Sequence, residues 1–282
     1  MSLKIFPGQK KNINNHSWPH TTLIKEQIQL HGYAIIKNVI EKKNLNKVRE
    51  EIDKMYSLEI KKIGIENLKK INDLGVLRSP YLNSEIISKI IFSKLVLDIN
   101  KSFFEKQFIL HVNRAVINSK KFSHPAATWH REPPYQNFTS NEPVALTFIH
   151  LVDKNTRKNG GLKILKSSHK WPHFPSEDFV IRNQEIPEIE EGSLLIIDSA
   201  LFHSASENNS LTRRSLVTIF TSPLIKQQIN LSQLINFKDK QKFLKKIKNI
   251  NFILGLTTNP FNSDDEYRKN KILNKSKKNK IY

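Results

Sequence analysis

From Phe108 onward the apolar residues of this chain stop recurring at every third or fourth position and fall into short runs of strand character. The runs cover 108–117, 144–151, 162–165, 193–197 and 215–220. Between them lie turn-rich segments: Ser123-His-Pro, Glu132-Pro-Pro-Tyr, Lys158-Asn-Gly-Gly and Glu190-Glu-Gly. No alternating crossover helices separate the strands, so the pattern predicts an antiparallel sandwich or barrel and not a doubly wound sheet.

The first hundred residues follow a helical period. Gly32 opens a short strand over 32–39. Leu45, Val48, Ile52, Met55 and Leu58 then give 41–62 one apolar face, and Ile86, Ile87, Ile90, Ile91 and Leu95 do the same for 83–104. Helical spacing returns over 231–237 and 241–252, whereas 269–282, rich in Lys and Asn, is expected to fray. No stretch resembles a linker. The expected organisation is one domain over 1–282, with a helical part at 1–107, a β core at about 108–222 and a basic helical extension at 223–282.

Cysteine is absent, which excludes disulfides, thiolate nucleophiles, iron–sulfur clusters and thiolate metal sites. Any metal must rest on His, Asp and Glu. The longest apolar stretches, such as 144–151, fall far short of the roughly 20 residues that span a bilayer, and 1–11 does not read as a leader, so a cytoplasmic location is expected. The formal charge is +20, and from Lys226 onward 14 Lys or Arg stand against four acidic residues. A solvated basic surface is the plainest explanation; capture of an acidic small molecule or of an anionic surface are the others. There is no helix-turn-helix, zinc-finger or aromatic-basic interleaved pattern, so nucleic acid is not an expected partner. Charge carries no information about oligomeric state.

The segment with most chemistry is Ala127-Thr-Trp-His-Arg-Glu-Pro-Pro-Tyr135. In an extended strand His130 and Glu132 share a face and Arg131 turns away, while the two prolines end the strand at a rim. A single His-x-Glu among ten histidines and 26 acidic residues is commonplace, so a third donor is needed. His203 supplies it. It follows Glu191-Gly-Ser-Leu-Leu-Ile-Ile-Asp-Ser-Ala-Leu-Phe202, a turn and a buried strand, where an imidazole serves no packing purpose. Two imidazoles and a carboxylate on one face of an octahedral ion leave three positions open, the arrangement non-haem iron(II) oxygenases use. Arg213 and Arg214 open the run at 215–220. Adjacent strand residues alternate, so one guanidinium enters the cavity, where its planar fork suits a carboxylate, and the other faces outward.

Four segments stand in a fixed order: Trp129-His-Arg-Glu132; Asn159-Gly-Gly-Leu162 leading to Ser168-His-Lys170; Glu191-Gly-Ser193 leading to Leu201-Phe-His203; and Asn208-Asn-Ser210 leading to Arg213-Arg214. In this the chain resembles the phytanoyl-CoA dioxygenase family over roughly 32–220. The resemblance implies a mainly β fold, a double-stranded β-helix (jelly roll, cupin-like) core flanked by N-terminal and C-terminal helices. It implies Fe(2+) held by His130, Glu132 and His203, with 2-oxoglutarate and O2 as cosubstrates. Arg213 matches the arginine that pairs with the far carboxylate of 2-oxoglutarate; Asn118 matches a cosubstrate contact and Arg78 a basic contact of some relatives. The implied reaction is hydroxylation of a small organic substrate, an anionic one being compatible with the charge, with release of succinate and CO2. Desaturation or epimerisation at the same site, and a non-catalytic jelly-roll binding protein, are the alternatives.

The chain departs from the family pattern in places. Glu132 stands where members more often have Asp, and Lys166-Ser-Ser-His169 replaces a Pro-Gly-Ser-His turn. Leu146 stands where some relatives place an aromatic residue near 2-oxoglutarate, and Ala205 where a serine contacts it. Substrate choice is expected from 133–138, with Tyr135 and Phe138, and from the loop around Trp171 and Phe174. Arg131, Lys166 or Arg78 would meet an anion. His169 is expected to hold a turn, His111, His124 and His150 to be ordinary histidines, and Asp153 to fix the hairpin toward Gly160.

Overall fold

All seven residues of the strand Ala145–Leu151 are buried, which puts it at the centre of the molecule with a covered face on either side. The computed structural model describes residues 19–105, 107–120, 127–132, 139–235, 241–257 and 263–278. Its helices and strands, in chain order, are α1 (Pro19–His31), β1 (Tyr33–Ile36), α2 (Lys42–Ile63), α3 (Ile65–Lys70), β2 (Val76–Arg78), α4 (Glu85–Ile91), α5 (Lys94–Phe104), β3 (Ile109–Asn118), β4 (Ala145–Leu151), β5 (Leu162–Leu165), α6 (Glu177–Asn183), β6 (Gln184–Glu185), β7 (Leu194–Asp198), β8 (His203–Ala205), β9 (Arg213–Thr221), α7 (Leu231–Leu234), α8 (Ile250–Ile253) and α9 (Asp264–Lys278).

The strands form a six-stranded sheet of order β1-β7-β4-β9-β3-β2 and a three-stranded sheet of order β6-β5-β8, antiparallel at every pairing. Alternation divides the side chains of the large sheet between two cores. Leu146, Phe148, Ile196 and Phe220 face the helices and pack with Ile28, Val48, Ile52, Ile87 and Ile99. Phe220 lies at the middle of this layer, with Phe108 and Phe148 edge-on at 5.7 Å. The opposite face carries Val116, Ile149, Leu151, Leu195 and Val217 toward Ile164 of the small sheet. Two antiparallel sheets facing across an inner core, with helices before and after, are the mainly β architecture the spacing predicted.

The predicted helix over 83–104 is two helices. Ser84 and Ser93 each accept a hydrogen bond from the backbone three residues on, at Ile87 (3.2 Å) and Val96 (3.5 Å), so the second cap restarts the chain where a single helix would have run through. Residues 241–252 form a 3-10 turn at Lys242–Lys246 and the short α8, not one helix. The tail does not fray along its length, because α9 runs to Lys278 with Asp264, Asp265 and Glu266 in its first turn, where they complement the helix dipole. Phe237, Ser123, His124, Pro125 and residues 1–11, 133–138 and 279–282 lie outside the described residues. Among the described residues no helix is long and apolar enough to cross a membrane.

Candidate active site

Residues 130 and 132 lie on an extended segment that docks on the small sheet. His130 and His203 exchange backbone hydrogen bonds, each N–H donating to the other's carbonyl at 3.0 Å, and Glu132 N–H donates to Ser199 O at 2.8 Å. This bridge brings the two imidazoles to a centroid separation of 4.4 Å. Glu132 Oε1 stands 3.9 Å from His130 Nε2. Arg131, one residue out of phase, turns to the opposite side, where its guanidinium lies 3.8 Å over the Phe202 ring and donates to the carbonyls of Ser168 and Trp171. Arg131 is therefore a buried stacking group and not the anion contact expected of it.

Both histidines are held in one tautomer. His130 Nδ1–H donates to Thr128 O at 2.8 Å and His203 Nδ1–H to Leu201 O at 2.9 Å, each carbonyl lying two residues upstream. The lone pair is thereby left on Nε2, the atom a metal would take. Burial, with His130 beside it, pushes His203 down to about 3, so its ring is neutral. Burial raises the Glu132 carboxyl, but the Arg114 guanidinium and the two imidazoles more than offset this and hold it below its ordinary value. Two imidazoles whose Nδ1 atoms are taken by backbone carbonyls, and an ionised carboxylate, are the donor set an iron(II) ion fits. Among the described residues no three donors already close around one point. Glu132 Oε1 is turned to Arg114 Nη2, 2.5 Å away. Two donors about 2.1 Å from one ion and at right angles stand about 3 Å apart, so the carboxylate must swing about 1 Å toward the imidazoles to join them.

The three side chains open onto a cavity of about 330 Å³ between the sheets, with Arg213 also in its wall. Arg213 is 3% exposed; its Nε donates to Gly160 O at 3.1 Å, and no carboxylate of the described residues lies within ion-pair distance. Burial, against a weaker opposing pull from Asp153, lowers it to about 10, so it remains a cation. Arg214 faces outward to Asp53 and Asp153. Asn118 sits behind the wall, where its Nδ2 donates to the same Gly160 carbonyl at 3.1 Å and so braces the group that aims Arg213.

Several other expectations are corrected. Leu146 faces the helical core, and Thr147 next to it lines the cavity, because strand alternation puts them on opposite faces. Trp171 packs edge-on to Phe179 and Phe174 to Phe202, clothing the back of the small sheet away from the cavity. Asp153 accepts from Arg49 and Arg214, not from the hairpin, where Asn159 Oδ1 instead accepts from Thr156 N–H at 3.0 Å. His150 is buried in the β4 core with neither ring nitrogen partnered among the described residues. His169 reaches α1 and not its own turn, its Nε2 lying 3.1 Å from Gln29 O. Arg78 lines the cavity, paired through two bonds to Asp73. Arg114 and His111 also line it. Arg114 was not singled out from the sequence and His111 was expected to be ordinary, although an arginine alternating with Val112 and Val116 was the available signal.

The model of the phytanoyl-CoA dioxygenase family matches residues 28–216. An uncharacterised protein of Mycobacterium tuberculosis is 25% identical over 213 residues, 73% of this chain and 77% of that protein. The dioxygenase olcK of Penicillium canescens is 26% identical over 209 residues, 68% of this chain and 67% of that protein. In fold the chain is similar to EctD from S. alaskensis, a structure with 2-oxoglutarate and 5-hydroxyectoine, at a TM-score of 0.61 and 14% identity over 78% of this chain and 81% of that one.

Proposed function

This chain belongs to the phytanoyl-CoA dioxygenase family of iron(II)- and 2-oxoglutarate-dependent oxygenases, and we propose that it hydroxylates a small organic substrate, using His130, Glu132 and His203 as iron ligands and Arg213 as the anchor of 2-oxoglutarate. When bound, the ferrous ion and its cosubstrates supply the oxidation: one atom of O2 converts a substrate C–H to C–OH, the other enters succinate, and CO2 leaves.

The chain's own part is placement. The Thr128 and Leu201 carbonyls hold the Nδ1 protons and so present the Nε2 atoms as the ligand atoms. Glu132 contributes the one negative charge of the set. Arg213, seated by Gly160, offers its remaining donors to the far carboxylate of the cosubstrate in a pocket whose apolar walls, Leu195 and Val217 among them, exclude competing water.

The observation that carries this reading is the convergence, in one cavity, of two tautomer-locked imidazoles, an ionised carboxylate and a buried guanidinium with no carboxylate partner among the described residues. Its test is anaerobic reconstitution with iron(II) and 2-oxoglutarate, followed by the visible charge-transfer band of the chelate. The band is expected in the wild type and lost in His130→Ala. Its absence from the wild type sinks the proposal.

A further inference from the structure

Two polar groups of the cavity wall, Arg114 and His111, have no part in holding the metal or the cosubstrate. Both come from β3. Val112, Arg114 and Val116 alternate toward the cavity, and the register with β9 shifts between Leu110 and Val112, a bulge that lets the adjacent His111 face inward too. Arg213 is paired in register with Asn118, and Arg114 with Val217. Arg114 thus lies four residues, about 13 Å, along the strand from the cosubstrate end, where it touches Glu132.

Both groups have unused capacity. Arg114 makes one ion pair, through Nη2 to Glu132, and its other donors meet no acceptor among the described residues. His111 is 2% exposed, and its Nδ1 has no partner among the described residues. A turn of the ring would present that nitrogen to what fills the cavity.

Charge narrows what that is. Among the described residues, three guanidiniums (Arg78, Arg114, Arg213) and two carboxylates (Asp73, Glu132) line the cavity. A ferrous ion and the 2-oxoglutarate dianion cancel each other, so these side chains keep one positive charge, and it falls on the half-buried Arg114. A metal that takes one oxygen of Glu132 leaves Arg114 at most a bond to that carboxylate, so the donors Glu132 does not use are the ones open at this end.

We propose that Arg114 and His111 form the anion subsite for the primary substrate, and that this substrate is a small molecule bearing a single carboxylate. A carboxylate presents two coplanar oxygens to a guanidinium fork and an imidazole and brings the one negative charge the cavity lacks; a doubly charged phosphate would overshoot it. The proposal rests on the oxygenase reading, since that reading makes the occupant of this end of the cavity a substrate.

The test compares benzoate, hexanoate and cyclohexanecarboxylate with their uncharged primary amides on the full chain, anaerobically, with iron(II) and saturating 2-oxoglutarate. Binding is read by the shift of the chelate band and by the melting temperature. At least one acid is expected to bind tenfold or more tightly than its amide, a preference removed by Arg114→Gln, partly kept by Arg114→Lys and weakened severalfold by His111→Phe. The proposal is overturned if no acid outbinds its amide, or if the preference survives Arg114→Gln. It is also overturned if folded Arg114→Gln loses the chelate band and Arg114→Lys regains it, since Arg114 then serves only to hold Glu132. A wild type with no band overturns the oxygenase reading instead, and the acid–amide comparison, read by melting temperature alone, still decides the subsite.

Discussion

Arg213 and Arg214 are neighbours at the start of β9 and serve opposite faces of the sheet. The first donates to Gly160 O inside the cavity. The second is clamped outside, where Asp53 takes its Nε and Nη2 at 2.7 Å and Asp153 its Nη1 at 3.0 Å. Arg49 of α2 joins the same Asp153, so the pair fastens the helical layer to the sheet.

The two arginines are therefore expected to fail differently. Arg213→Ala removes charge-assisted bonds to the cosubstrate worth about 3 kcal/mol, which raises the 2-oxoglutarate needed for the chelate band about 100-fold with little change in urea midpoint. Arg214→Ala leaves that concentration unchanged and lowers stability by about 1–3 kcal/mol, the range for a partly exposed network. Equal effects on cosubstrate binding would show that the assignment of faces is wrong.

Metal removal gives a second expectation. Iron(II), or redox-inert nickel(II), at about 100 times its dissociation constant stabilises the fold by about 2.7 kcal/mol, on the order of 5 °C in melting temperature. A chelator is expected to reverse this. His203→Ala and Glu132→Ala should show little or no such shift, and a full wild-type shift in both would place the metal elsewhere.

Gly160 has φ +73, and a Cβ there would run into Asn118 Nδ2 and stand 3.0 Å from Asn208 Cβ. Gly160→Ala is expected to cost about 2 kcal/mol or more in a urea melt. Because its carbonyl seats Arg213, the variant should also need more 2-oxoglutarate while retaining metal-dependent stabilisation.

His150 makes the fold sensitive to acid. Burial pushes it down to about 3 from an unfolded value near 6.5, so the unfolded chain takes up a proton that the native one refuses. Stability attributable to this residue is whole above pH 6.5 and falls by about 1.4 kcal/mol per unit as pH drops through the window down to about 3. His150→Phe is expected to flatten the dependence between pH 7 and 5 by about 2 kcal/mol relative to wild type, measured by urea midpoints. Parallel curves for the two proteins would refute the assignment.

Much of the architecture was legible because it is written in local periods. The alternation over 108–117 and 144–151, and the apolar stripe of 41–62, follow from backbone geometry that repeats every 2 or 3.6 residues whatever surrounds it. The His130–Glu132 pair was legible for the same reason, since two residues on one strand share a face. The break at Ser93 was missed because the apolar spacing runs through it, while the cap depends on one hydroxyl meeting one backbone N–H.

Which face looks inward was decided only by tertiary structure. From spacing alone Trp171 was as good a substrate contact as Arg114, and Leu146 as good a cavity residue as Thr147. The reciprocal bonds of His130 with His203, the bulge beside His111 and the pairing of β3 with β9 settled these choices. A slip of one residue in any of those registers would exchange buried for exposed along a whole strand, and no local pattern encodes the partner that prevents it.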